Sequence, residues 1–299
     1  MTGDLPKQAV LIVNARSRQG RKMFRHAVTG LRERGVEVIS GHAIRNPEYL
    51  TPTVQKAIDE DAPMIIVGGG DGSISSSVDY LVGHDIVFGL LPLGTANSFA
   101  RTLGIPLDID GALDVIAYGE RRRVDLGMID KDYYANCAAI GISPIVAESV
   151  PHWLKRYLGR FGYALWVLRC LFRFRPFTLI VDGERVEALE VRIANGPYHG
   201  GTELVDDADP ESGEIVVQAV TGKAIPYLGW SWLTSMLRLE ARKTTTREFH
   251  GRTLRVDTEP SLPISIDGEV LAHTPVTAKV AEGAIEVAAP CAVQASAGR

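Results

Sequence analysis

Short apolar runs and helical stripes alternate through the first 125 residues. Residues 9–13 form a continuous apolar run, the pattern of a strand buried on both faces. Across residues 22–34 the apolar positions Phe24, Ala27, Val28 and Leu31 recur at helical spacing, and Gly35 ends the helix. Residues 36–39 predict a second strand and residues 52–59 a second helix. Residues 64–67 predict a third strand, which runs into Gly68-Gly69-Gly70-Asp71-Gly72, and a helix follows over 73–82. A fourth strand at 86–91 leads through Pro92-Leu93-Gly94-Thr95 into a helix at 96–103. Strand–helix alternation of this kind makes an α/β domain, a parallel sheet covered on both faces.

The pattern changes after Val124. Strand signals fall at 133–138, 177–181, 188–194, 214–220, 253–256, 263–266 and 277–280, with connections such as Asp182-Gly183 and Asp267-Gly268. Two helical stretches, 153–172 and 225–239, interrupt them. This predicts a second, mainly antiparallel β domain. The boundary is placed near Arg121-Arg122-Arg123-Val124, giving domains 1–125 and 126–299, with the last residues free to pack back on the first.

Composition narrows the function classes. The chain has 299 residues, 45% of them hydrophobic, which excludes general disorder. Its 36 acids against 32 Lys and Arg argue against a nucleic-acid partner. The start carries no basic segment followed by an apolar one, so no secretory leader is expected. No apolar run is long enough for a membrane-spanning helix. Cys137, Cys170 and Cys291 are widely spaced and read as reduced cytosolic thiols, and no HExxH, GxSxG or GxxxxGK[ST] occurs.

The chemistry concentrates in the glycine loops. Gly69, Gly70, Asp71, Gly72 and Ser73 follow a buried strand and open a helix, where free N–H groups favour phosphate. A plain glycine turn reads the same way. A second loop at the next strand end, with Thr95 and Asn97, would face the same crevice and favours a ligand. Arg16, Arg18, Arg21, Lys22 and Arg25 place cations without an acid at a helix start, which suits a polyphosphate or a merely solvated face.

The run GGGDGS, then PLGTANSFAR, a Gly200-Gly201 segment and a late Asp267-Gly268-Glu269 resembles the diacylglycerol kinase catalytic-domain family. Bacterial lipid kinases match best in length, and sphingosine and ceramide kinases are relatives. NAD kinases and phosphofructokinases share only the GGDG element. The resemblance implies an ATP- and Mg²⁺-dependent lipid kinase with a β-sandwich-like C-terminal domain and a site in the cleft between the domains. It assigns the nucleotide to Asn14, Ala15, Arg16, Ser17 and Arg18, to Gly69 through Ser73, and to Thr95 and Asn97. It makes Glu269 the general base, with Asp267 as partner. Such a base must take a proton from the attacking hydroxyl.

In the first loop Asn14, Ser17 and Gly20 match the family's NPxSGxG and Ala15 and Arg18 do not, and two further departures matter. Ser98 stands where GTxNDFA has Asp, and Ser212 stands where a structural Mg²⁺ segment has Asp, with Asp209 and Glu214 at the carbonyl positions. Serine is a weak ligand for a hard cation. These changes keep open a nucleotide-binding regulator without transfer activity, beside a kinase of a soluble hydroxyl such as an NAD kinase.

Residues 151–175 carry Lys155, Arg156, Arg160, Arg169, Arg173 and Arg175, no acid, and interleaved aromatics. That suits a helix lying on an anionic membrane, or a core helix with snorkelling arginines. The expected setting is cytoplasmic, peripheral to the inner membrane face, with a lipid substrate and with a homodimer left open.

Overall fold

The computed structural model of the chain describes residues 4–15, 18–142, 144, 166, 174–222, 245–266 and 269–291, with the backbone alone at 18 and 19. The helices expected at 153–172 and 225–239, most of the basic segment, Cys170, Arg16, Ser17, Asp267, Gly268 and the Arg18 side chain lie outside the described residues.

The first half runs β1 (Gln8–Asn14), α1 (Arg18–Glu33), β2 (Glu37–Ile44), α2 (Leu50–Asp59), β3 (Met64–Gly69), α3 (Asp71–Leu81), β4 (Val87–Pro92), α4 (Ser98–Thr102) and α5 (Ile109–Tyr118). The strands pair in parallel in the order β2-β1-β3-β4. Burial explains their composition: β3 and β4 are buried throughout, whereas β2 alternates as an edge. Helices α1 and α5 pack together, as do α2 and α3. Helix α1 starts four residues before the expected helix, because its first turn, Arg18-Gln19-Gly20-Arg21, carries no apolar stripe. Helix α5 was not anticipated. Its start signal is Asp108, whose carboxylate accepts the Gly111 N–H at 2.8 Å.

The second half contributes β5 (Glu120–Ile129), β6 (Asp132–Tyr134), β7 (Cys137–Gly141), β8 (Phe177–Val181), β9 (Glu184–Ala194), β10 (Tyr198–His199), β11 (Thr202–Glu203), β12 (Ile215–Thr221), β13 (Thr246–Gly251), β14 (Thr253–Glu259), β15 (Pro263–Ile266), β16 (Glu269–His273) and β17 (Val276–Ala289). These strands pair antiparallel with one another around their own apolar core. The single strand expected at 133–138 is two strands, β6 and β7. Between them the Asn136 carbonyl accepts the N–H groups of Asn195 and Gly196, which turns the chain. At Asp182-Gly183 both φ angles are positive, 49° and 90°, as a two-residue hairpin requires.

Two strands join the halves. β5 runs across position 125 and pairs with β17. The strand expected at 277–280 extends to Ala289 through a bulge between Ala281 and Ile285, and its far end lies parallel to β4. The polar Glu282-Gly283 pair hid this continuation from the apolar pattern.

Candidate active site

The order β2-β1-β3-β4 reverses direction between β1 and β3, and open α/β sheets bind ligands at the carboxyl ends of strands around such a point. The loops after β1, β3 and β4 meet there. The Leu93 N–H donates to the Gly69 carbonyl at 2.9 Å. Gly70 and Gly94 touch main chain to main chain: a Cβ on Gly70 would lie 3.2 Å from Gly94 Cα, and one on Gly94 would collide with Gly70 Cα. Asn14 Nδ2 donates to Ser73 Oγ at 3.4 Å, tying the first loop to the start of α3.

Side chains in these loops fix one another. Asp71 Oδ1 accepts the Ser98 N–H at 2.6 Å, so the carboxylate of one loop caps the helix of the next. Asn97 sits in the left-handed region at φ 49°. Its Oδ1 accepts the Gly94 N–H at 2.9 Å and its Nδ2 donates to the Gly94 carbonyl at 3.0 Å. The Asn97 side chain therefore shapes the loop, while Thr95 is exposed at its tip. Ser98 is buried, and its Oγ accepts the Gly201 N–H at 3.1 Å. Gly201, at φ +84°, lies so close to Ala96 that a Cβ would be 3.1 Å from its carbonyl. The serine that departs from the family pattern thus ties the antiparallel half to the glycine loops.

One cavity of about 450 Å³ opens on the strand ends and is lined by Asn14, Gly20, Thr95, Asn97, Leu107 and Ile109. A second, of about 240 Å³, is lined by Asp71, Ser98, Asn136, Tyr198, His199 and Gly200 and spans the two halves. Gly94 lines the first cavity, and Asp71 and Ser98 line the second, so the Gly70–Gly94 contact links a wall of the first to the residue beside Asp71.

Behind the second cavity lie Glu190 and Arg192, both 0% exposed, at alternate positions of β9. Arg192 donates to Gln218 Oε1 at 2.8 Å and to Glu190 Oε2 at 3.3 Å. Burial and the Arg192 charge hold the His199 imidazole below its ordinary pKa, against the opposing pull of Glu190 and Asp71. His199 therefore faces the cavity as a neutral donor or acceptor at pH 7. Sequence reading passed over His199, Glu190, Arg192 and Asn136. The available signal was a Glu and an Arg at alternate positions of an otherwise apolar strand.

Comparison with known proteins gives the site its family. Residues 8–129 match the diacylglycerol kinase catalytic domain, and residues 136–289 match the YegS C-terminal NAD kinase beta sandwich-like domain. The chain therefore carries the diacylglycerol kinase catalytic domain and, by the match that spans more than half of it, belongs to the family of the YegS C-terminal domain. It is 29% identical to a probable lipid kinase YegS-like of Enterobacter sp. (strain 638), over 85% of this chain and 89% of that one. It is 28% identical to the diacylglycerol kinase of Staphylococcus aureus (strain NCTC 8325 / PS 47), over 95% of this chain and 93% of that one. A crystal structure titled as a putative diacylglycerol kinase from Bacillus anthracis str. Sterne superposes with a TM-score of 0.78 at 21% identity, covering 96% of each chain. The α/β half and the antiparallel sandwich half are thus the family's own architecture, as the motifs implied.

The family's remaining motif positions are placed as follows. Glu269 is exposed at the head of β16, opposite Ile266. Ile266 pairs with Ala138, two residues from Asn136 of the second cavity. The sheet register thereby carries the Glu269 end of β16 toward the cavity that Asp71 lines. In the family's structural-metal segment, Ser212 Oγ donates to the Asp209 carbonyl at 2.7 Å and lies 3.5 Å from the Glu214 carbonyl. The hydroxyl takes the position between the two carbonyls, and Asp125 closes the segment by accepting the Gly213 N–H at 2.8 Å. As folded, Asp209, Ser212 and Glu214 do not fit a resident divalent ion. Among the described residues no helix is long and apolar enough to cross a membrane.

Proposed function

We propose that the chain transfers the γ-phosphoryl group of ATP to the hydroxyl of a membrane lipid such as diacylglycerol, ceramide or a sphingoid base. The observation that carries this reading is the pair of cavities beside the glycine contact, with Gly94 lining the larger and Asp71 the smaller. The larger, at the strand ends, suits the nucleotide, with Asn14, Gly20, Thr95 and Asn97 lining it, and the family motifs assign Ala15 and residues 69–73 to the same ligand. Gly72 supports this assignment, since a Cβ there would meet no protein atom within 4 Å. Nothing in the fold requires glycine at that position, whereas a phosphate approaching the backbone does. Arg21, Lys22 and Arg25 add exposed positive charge along the first turns of α1. Mg²⁺ travelling with ATP supplies charge neutralisation on the phosphates.

The smaller cavity suits the acceptor hydroxyl. Asp71 and neutral His199 orient it, and a Glu269 carboxylate oxygen takes its proton, with Asp267 as partner. The basic segment 151–175 docks the enzyme on anionic lipid at the cytosolic membrane face. The test uses labelled ATP with anionic vesicles carrying diacylglycerol, ceramide or sphingosine, and with NAD as a soluble acceptor. Label is expected on one lipid, and Glu269→Gln should lower kcat about 10²–10⁴-fold while ATP affinity stays near normal. Label on NAD alone, or on no acceptor, overturns the lipid kinase reading. Wild-type turnover in Glu269→Gln removes the base.

A further inference from the structure

A cluster of metal-ligating side chains lies outside the cleft. Asp207, Glu248 and His250 bring a carboxylate oxygen each from Asp207 and Glu248, and an imidazole nitrogen, within 4.8 Å of one another. We infer that these three residues form a site for a borderline first-row cation of the zinc type.

The backbone explains why they converge. Glu248 and His250 stand two apart on β13, so their side chains share one face of the sheet. Opposite them in register lie Gln218 and Val216 of β12. Val216 belongs to a small apolar cluster with Cys137, Ala194, Leu204, Val205 and Ala208. That cluster fixes the turn 205–208 at both ends, where the Ala208 N–H donates to the Val205 carbonyl at 3.2 Å. Asp207 stands at the exposed corner of this turn and is thereby presented to β13.

The chemistry selects the ion. An imidazole nitrogen with two carboxylates matches zinc, which keeps remaining positions for water, and departs from the all-oxygen shell that Mg²⁺ demands. His250 Nε2 and Glu248 Oε2 are 3.9 Å apart. Two tetrahedral zinc ligands at about 2.1 Å from the metal are about 3.4 Å apart, so a closure of some tenths of an ångström completes the pair. Glu248 is also oriented from behind. Gln218 Nε2 donates to its Oε1 at 2.7 Å, and Gln218 is held in turn by buried Arg192 at 2.8 Å. A ligating carboxylate steadied by an outer hydrogen bond, with its other oxygen turned to a histidine, is the arrangement that tunes such sites.

The test titrates ZnCl₂ into untagged, chelator-treated full-length protein by calorimetry, with Mg²⁺ present in excess. The wild type should bind a zinc equivalent that His250→Gln lacks, and Asp207→Asn should bind it more than about tenfold more weakly. Exposed His84, remote in sequence, serves as the control, and His84→Gln should bind as the wild type does. Co²⁺ in place of zinc should give visible absorption that His250→Gln abolishes. Melting curves verify that each variant is folded; both ligand positions are exposed, so either substitution alone suffices. No zinc binding by the wild type overturns the site, and so does equal binding by His250→Gln and Asp207→Asn.

Discussion

The wall of the cleft made by the parallel half is shaped by main chain, whereas the wall made by the antiparallel half is shaped by side chains. On the first wall Gly70 lies against Gly94, and Asn97 bonds the backbone of Gly94 twice. Its polar groups are peptide N–H and C=O, and its form depends on what is missing at the glycines. On the second wall, buried Glu190 and Arg192 project from β9 behind His199, and Arg192 is held in turn by Gln218. There Glu190 and Arg192 are opposite charges removed from water, which their pairing makes tolerable. A backbone wall presents many equivalent donors to a polyphosphate. A side-chain wall places a few distinct groups, which suits recognition of one hydroxyl.

The strongest way to break this contrast is at Arg192. Arg192→Met removes the cation facing the buried Glu190 carboxylate and should cost about 3–5 kcal/mol of stability. Adding Glu190→Gln should recover most of it, and ATP affinity of the folded protein should be unaffected. Denaturant unfolding of the two variants checks this; a single variant as stable as the wild type would show that the pair carries no energy. The first wall responds to shape instead. Gly94→Val should cost about 1–3 kcal/mol and abolish ATP binding, since its side chain must displace Gly70. Gly72→Val should also abolish ATP binding yet melt within about 2 °C of the wild type. Calorimetry with ATP beside melting curves separates the two effects.

These positions also show how much could be read from the chain. The first wall was legible because its parts are contiguous: a strand, a glycine loop and a helix start follow one another twice. What the sequence hid was the use of particular residues. Asn97 looks like a ligand contact, and its amide is taken by its own loop. The second wall was hidden because its partners meet only by strand register, Arg192 opposite Gln218 and Gln218 opposite Glu248. No local spacing announces such a row. The strands themselves were legible where they alternate or end in Asp-Gly, and were missed where polar residues interrupt them, as at Glu282-Gly283.

Weaker effects sharpen the contrast where the halves join. Ser212→Ala removes the hydroxyl between the Asp209 and Glu214 carbonyls and should cost about 1 kcal/mol. Mg²⁺ added to zinc-free, chelator-treated wild type should leave the melting temperature unchanged, and a Mg²⁺-dependent rise would place a cation in that segment after all. The smallest effect concerns Asp79 on α3. Partial burial first, and then the nearby Asp132 charge, push its carboxyl up to about 6. A carboxyl raised in the folded state favours the protonated form, so its stabilising contribution is complete below about pH 4 and is lost as the pH rises through about 6. Asp79→Asn should therefore be the more stable protein at pH 7–8, with the advantage fading toward pH 4. Asp79 lies at the surface, so water screens the gain to below about 1 kcal/mol. Melting curves across that range test the sign.

The run of β17 from the sandwich into the parallel sheet has a consequence for how the chain folds. Val287 lies beside Phe88, so the open flank of β4 is closed by a segment made about 200 residues after it. Closing so long a loop adds little to its entropic cost, which grows only with the logarithm of length. The rate is another matter, because pairings distant in sequence form slowly. During synthesis the first half emerges with its hydrophobic strands in order and one flank unpaired, a state open to edge-to-edge association until β17 arrives. The glycine loops at the ends of β3 and β4 therefore acquire their full support only once β17 has been made. The main-chain wall of the cleft is, on this topology, finished only by a strand of the other half.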